Sequence, residues 1–154
     1  MLKNGRVAIT GLCLSLIFWW AYLGVTPARG QELSEHGNPL TTVSIGKATV
    51  KAEVVATPDK LYRGLSFRKG LPEGRGMLFA LPERERQVFC MRAMEFPIDI
   101  IWIARGQVLG LEENVSHLDQ AREYCSPGPV DYVLEVPAGF SGRHGIKVGD
   151  RVSW

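Results

Sequence analysis

The sequence predicts a β-rich α+β fold: a single compact sheet or barrel-like domain of about seven to nine short strands with one or two short helices. Three observations carry this. Short runs rich in Val, Ile and Thr, several with strict alternation, recur from Thr41 to the end of the chain. Gly and Pro turn signals separate them instead of long polar tracts. Only one segment, opening at Thr57, carries a strong helix-start signature.

Thr41–Ile45 and Ala48–Val55 alternate and meet at Gly46-Lys47, which predicts a hairpin. Thr57 is then a candidate N-cap. Pro58 suits the first helical position, where its missing N–H costs nothing, and Asp59 places a negative charge at the positive end of the helix dipole. The helix is predicted to run to about Phe67, with Leu61 and Leu65 on its buried face. Gly64 inside that run costs about 1 kcal/mol relative to Ala, which a close backbone contact would explain. Pro72-Glu73-Gly74-Arg75-Gly76 is a turn before a short buried strand, Met77–Leu81. Pro82 and the charged run Glu83–Arg86 read as a solvated loop.

Gln87–Met91 and Ile98–Ala104 are strands, and the second is strongly apolar. Arg105-Gly106 turns it into Gln107–Leu111. Glu112–Pro129 has no periodicity and is predicted to be irregular. Val130–Val136 alternates, with Tyr132, Leu134 and Val136 on one side and Asp131 and Glu135 on the other. Ala138–His144 is predicted as a short helix closed by Gly145, and a last short strand ends at Trp154.

The chain has 154 residues, enough for one ordinary domain. Three of its 18 bases (Lys3, Arg6 and Arg29) and none of its 16 acids precede Gln31, so the remainder carries a net charge of −1. Nucleic-acid binding, which starts from clustered positive charge, is not expected. Residues 1–30 read as a signal peptide or an N-terminal membrane anchor. Lys3 and Arg6 precede an uncharged run, residues 7–28, and Ala28-Arg29-Gly30 places small residues around a cut before Gln31. Either way the domain is expected outside the cytoplasm, periplasmic or secreted. Residues 31–40, with Gly37 and Pro39, read as a polar tether, and residues 41–154 as the globular domain. Outside the leader only Cys90 and Cys125 remain, and an even pair in an oxidising compartment favours a disulfide. The alternative is that Cys90 is a small apolar core residue.

Asp99 is the first candidate site residue. It shares a strand face with Ile101 and Ile103, so its carboxylate is expected to be partly buried and to need donors. Arg63, Arg68 and Arg92 are the candidate partners, since a guanidinium holds a carboxylate through two parallel hydrogen bonds. Such a pair could hold an anionic or hydroxyl-bearing ligand, or simply tie down the turn after Pro97. Met77, Cys90, Met91 and Met94 could form a soft-metal set but equally fill a core, and no zinc-type spacing occurs, so neither a metal nor another cofactor is expected. His144 with Cys125 or Ser141 lacks any local nucleophile motif.

The segments Thr57-Pro58-Asp59, Arg63-Gly64-Leu65, Leu71-Pro72-Glu73-Gly74, Gly76-Met77-Leu78-Phe79, Pro97-Ile98-Asp99-Ile100-Ile101 and Tyr132 to Gly139 occur in an ordered series. His144-Gly145-Ile146 and Val148 to Val152 complete it. The series resembles the small prokaryotic family called domain of unknown function 192. The resemblance implies a compact β-rich domain, often exported, and supplies no reaction, cofactor or catalytic set. It also implies Trp where this chain has Cys90, and Cys125 falls where related sequences often carry cysteine, so the departure would create the pair. The expected function is a non-catalytic binding or accessory module meeting an unknown protein or small-molecule partner at the cell envelope. The alternative is a small enzyme or ligand site using Asp99 with Arg63 or Arg68.

Overall fold

Seven of the nine strands among the described residues close into a barrel, because their alternating sequences give each one a face for an interior and a face for a covering layer. The structure is a computed structural model and describes residues 30–154. The expected leader lies outside the described residues except for Gly30. No helix among those described is long and apolar enough to cross a membrane.

The elements run β1 (Leu40–Ile45), β2 (Ala48–Val55), α1 (Pro58–Arg63), β3 (Arg75–Glu85), β4 (Val88–Cys90), β5 (Ile98–Ala104), β6 (Gln107–Val115), β7 (Glu123–Cys125), β8 (Val130–Pro137), α2 (Phe140–His144) and β9 (Val152–Ser153). The main sheet has the order β6-β5-β8-β3-β2-β1-β9, and β4 and β7 form a separate two-stranded ribbon. All neighbours in the main sheet are antiparallel except β2 and β3. A parallel pair needs a crossover, and α1 lies within it. The edges then meet. Gln107 bridges to Arg151, Val108 N–H donates to the Asp150 carbonyl at 2.9 Å, and Val152 N–H donates to the Gly106 carbonyl at 2.8 Å. Closure removes the open edges that would otherwise invite pairing with another chain.

The period-2 alternation sorts the side chains into two cores. Val43, Ile45, Val50, Leu78, Ile101, Ile103, Leu134 and Val136 fill the barrel interior, with Phe140 of α2 and Ile146 packed against them. Gly76 belongs here because a Cβ would lie 2.7 Å from Val50 Cγ1 and 2.9 Å from the Glu135 carbonyl oxygen. Met77, Phe79, Ile98, Ile100, Trp102 and Val133 point the other way, into a second core. That outer core contains Leu65 behind α1, Tyr124 of β7, Met91 and Met94. β5 is buried along its whole length because both of its faces are covered.

Departures from the sequence reading have local causes. α1 stops at Arg63 because Gly64 takes φ 49°, ψ −132°, a backbone few side-chain-bearing residues adopt. A Cβ there would also lie 3.2 Å from the Phe79 ring, the close contact its position suggested. β3 extends to Glu85 and carries part of the charged run on its exposed C-terminal end. β7 forms within the stretch expected to be irregular. The segment read as a tether folds back onto β2. Leu33 bridges to Pro39, Asn38 is buried, and Ser34 and Asn38 donate to the Glu53 carboxylate at 2.9 and 2.7 Å.

The expected Cys90–Cys125 bridge is corrected. Both residues are free, exposed thiols. The register of the ribbon pairs Cys125 with Val88 and Cys90 with Glu123, so the two cysteines are diagonal neighbours on one face. Diagonal pairs sit roughly 7–8 Å apart, beyond the ~4.4–6.8 Å Cα separation that a disulfide needs. Alkylation of the native protein without reductant, followed by peptide mass analysis, should find Cys90 and Cys125 both labelled. A cross-linked peptide would contradict that register.

Candidate functional site

Asp99 is fully buried and faces the barrel interior with Ile101 and Ile103. Its carboxylate oxygens are occupied by backbone. One accepts N–H bonds from Asn114 of β6 and from Gly139, and the other accepts from Ser141, all at 2.8 Å. Gly139 sits at φ 75° and begins α2, so one carboxylate fastens the helical plug to two strands. Asp99 makes no ion pair with Arg63, Arg68 or Arg92. The expected grouping is not brought together, and the donors Asp99 needed come from main chain.

Arg68 instead finds a different carboxylate. In the segment after α1 it clasps Glu53 of β2 with both guanidinium nitrogens, at 2.5 and 3.0 Å. Burial alone would raise the Glu53 carboxyl. The hydrogen bonds from Arg68, Asn38 and Ser34, with the charge of Arg68, outweigh it and hold Glu53 down at about 2. Arg63 lies exposed at the end of α1, and Arg92 stacks its guanidinium over the Tyr62 ring at 4.3 Å. Neither makes an ion pair among the described residues.

The register that positions Glu53 also places a second carboxylate. Glu53 pairs with Met77, Met77 with Glu135, and Glu135 with Ile100, so these four form one row across β2, β3, β8 and β5 on the outer-core face. Glu135 is only 6% exposed, and its carboxyl has neither a hydrogen bond nor an ion pair among the described residues. Burial raises its carboxyl to about 8, although the charge of Arg68 pulls the other way. At neutral pH the group is therefore mostly a neutral acid with a hydrogen to donate.

Glu135 lies at a cleft of about 290 Å³ between α1 and the β4–β7 ribbon. Leu61, Leu65, Phe79, Phe89 and Met94 supply its apolar wall, with Tyr62, Arg63, Cys90 and Arg92 also lining it. Phe89 meets Phe79 and Trp102 edge to face at 5.0 and 5.5 Å, which holds that wall in place. A wider cleft of about 500 Å³ lies across the Arg63–Ser66 segment and includes His36, Lys60, Phe67 and Arg68. Two of its cations are already engaged, Arg68 with Glu53 and Lys69 with Glu95. The wider cleft holds one buried atom without a partner, Asn38 Oδ1, whereas the smaller one sets a glutamate without an ion pair, Glu135, against an apolar wall.

The other candidates separate. Met77, Met91 and Met94 are buried in the outer core, as methionines filling a core would be, while Cys90 is exposed on the ribbon. No cluster of three His, Cys, Asp or Glu side chains that could hold a metal occurs among the described residues. Ser141 Oγ is buried without a partner inside the barrel, whereas His144 stacks against Phe140 and reaches Glu73 at 3.6 Å. Glu53 and Glu135 were both missed in the sequence, where each reads as the polar side of an amphipathic strand. One signal was available: a strand apolar on both faces, Ile98–Ala104, implies that its sheet neighbours are covered on both faces too.

A family model for domain of unknown function 192, described as an uncharacterized ACR, matches residues 41–154. Among solved structures the chain resembles a protein of unknown function from Novosphingobium aromaticivorans DSM 12444. The identity is 28% and the TM-score 0.77, over 82% of this chain and 94% of that one. It also resembles a protein from Sinorhizobium meliloti 1021 provisionally called a transcription regulator. There the identity is 29% and the TM-score 0.71, over 79% of this chain and 96% of that one. No curated protein matches the chain.

Proposed function

The chain belongs to the domain of unknown function 192 family, and we propose that it is an exported, non-catalytic binding module of the cell envelope whose ligand site is the Glu135 cleft. One observation carries the site: a glutamate only 6% exposed, its carboxyl without a hydrogen-bond or ion-pair partner, at an open apolar cleft. A ligand that satisfies this carboxyl inside the cleft would gain about 0.5–1.5 kcal/mol, the net value of one hydrogen bond. At about 290 Å³ the cleft lies just below the usual range for ligand sites, roughly 300–1,000 Å³. The regulator role named for the Sinorhizobium protein finds little support here, since the chain after Gly30 carries a net charge of −1. Export rests on the basic, apolar leader sequence.

The site is tested by a thermal-shift screen of the purified protein against small aromatic and aliphatic acids, sugars and metal ions. A ligand at a hundred times its Kd stabilises by about 2.7 kcal/mol, several degrees for a domain of this size. Leu61→Trp, which places an indole in the cleft, should abolish that shift. A ligand that stabilises both proteins equally would place the site elsewhere. Export is tested by fusing alkaline phosphatase after Trp154, since the enzyme is active only outside the cytoplasm. Activity is expected, and an inactive, stable fusion would contradict export.

A further inference from the structure

We propose that the cleft takes a small amphipathic acid: its anionic end meets Arg63 and Arg92, its flat apolar body lies along Phe79 and Phe89, and its inner end presents a hydrogen-bond acceptor to the Glu135 carboxyl. The inference rests on the cleft being the ligand site and goes further by fixing the chemistry of the occupant. Polarity runs in one direction through the cleft. Two arginines without ion pairs line it, while the buried group is a single carboxyl. A cationic ligand would have to pass both guanidinium groups to reach Glu135. A ligand with an anion at one end and a carbonyl or ether oxygen at the other meets no like charge.

Such binding is coupled to a proton. The charged or titratable groups around Glu135 are Glu53 on β2, Tyr62 and Arg63 on α1, Arg68 after it, Cys90 on β4, Arg92 beyond it and Glu112 on β6. Glu53 is neutralised by Arg68. The carboxyl can donate only while protonated, and Glu135 loses its proton at about 8. Recognition of an acceptor is therefore present below that pH and lost above it.

The test uses two probes of nearly identical shape, 4-acetylbenzoate and 4-isopropylbenzoate, with the full chain in calorimetric titrations at pH 6.5 and pH 9.5. The acetyl oxygen can accept from Glu135, and the isopropyl group cannot. The acetyl probe should bind about three- to tenfold tighter at pH 6.5, the value of one net hydrogen bond. That preference should vanish at pH 9.5. Glu135→Gln keeps a donor that does not titrate, so its preference should persist at both values. In Arg63→Ala/Arg92→Ala both probes should weaken by the same factor. Equal binding of the two probes at pH 6.5 would overturn the donor role of Glu135 while leaving the cleft as a site. Failure of both probes to bind would overturn the cleft reading itself, and with it this assignment.

Discussion

Asp99→Asn is expected to unfold the domain or lower its melting temperature by more than about 10 °C. Three backbone N–H groups converge on the Asp99 carboxylate at 2.8 Å, in a position with no exposure. An amide replaces one acceptor oxygen with an NH2 group that can only donate. Either the Ser141 N–H, or those of Asn114 and Gly139, then face a donor instead of an acceptor. Losing a buried hydrogen bond to a charged group costs about 1.5–3 kcal/mol, and leaving its partner unsatisfied adds to that. The sum is on the order of 3–5 kcal/mol, a large share of the roughly 5–15 kcal/mol that holds a domain together. The loss also frees Gly139 and Ser141, so the Phe140 plug would loosen from the barrel interior. Thermal melts followed by circular dichroism check this. A variant that melts with the wild type would show that the three bonds contribute little and would return Asp99 to the list of ligand candidates.

Glu135→Gln is expected to act in the opposite direction, and only at higher pH. Glu135 is raised from 4.5 to about 8 on folding. A carboxyl raised in this way leaves stability whole below its unfolded value and erodes it as pH climbs through the folded value. Wild-type stability should fall by up to about 1.4 kcal/mol per pH unit between roughly pH 5 and pH 8, then level off. Glu53 has the reverse sign. It is lowered from 4.5 to about 2, so its contribution is complete above pH 4.5 and lost as pH falls through 2. The two together place maximum stability near pH 5. Glu135→Gln removes the upper slope and should exceed wild type at pH 9 by on the order of 3–5 kcal/mol, while matching it near pH 5. Urea unfolding from pH 3 to pH 9 checks both limbs. Parallel curves for the two proteins would mean that Glu135 ionises normally.

The sequence carried the strands and their hairpins because alternation and turn residues are local signals, as Gly46-Lys47 and Arg105-Gly106 illustrate. It also carried the start of α1 at Thr57-Pro58 and the left-handed close of α2 at Gly145. The end of α1 was less legible. Leu61 and Leu65 keep helical spacing across Gly64, yet the chain turns there and still delivers Leu65 to the outer core. The need of Asp99 for donors could be read from its place among Ile101 and Ile103. Its partners could not, because main-chain N–H groups of Asn114, Gly139 and Ser141 leave no mark in residue identity. Cys90 and Cys125 form an even pair whose two-residue register offset emerges only when β4 meets β7. Glu135 was hidden for a similar reason: Asp131 and Glu135 share one side of β8, but the chain covers that side with α1 and the ribbon only near Glu135.

The account turns on a carboxyl that stays protonated in a cleft at neutral pH. Carbon-13 labelling of glutamate with an NMR titration of the side-chain carboxyls measures this directly, and Glu135→Gln identifies the resonance. A midpoint near 8 for Glu135, while the other glutamates titrate in the acid range, is the predicted result. A midpoint near 4.5 would mean that water or an ion reaches Glu135 freely, and the cleft would lose the feature that marks it as a site.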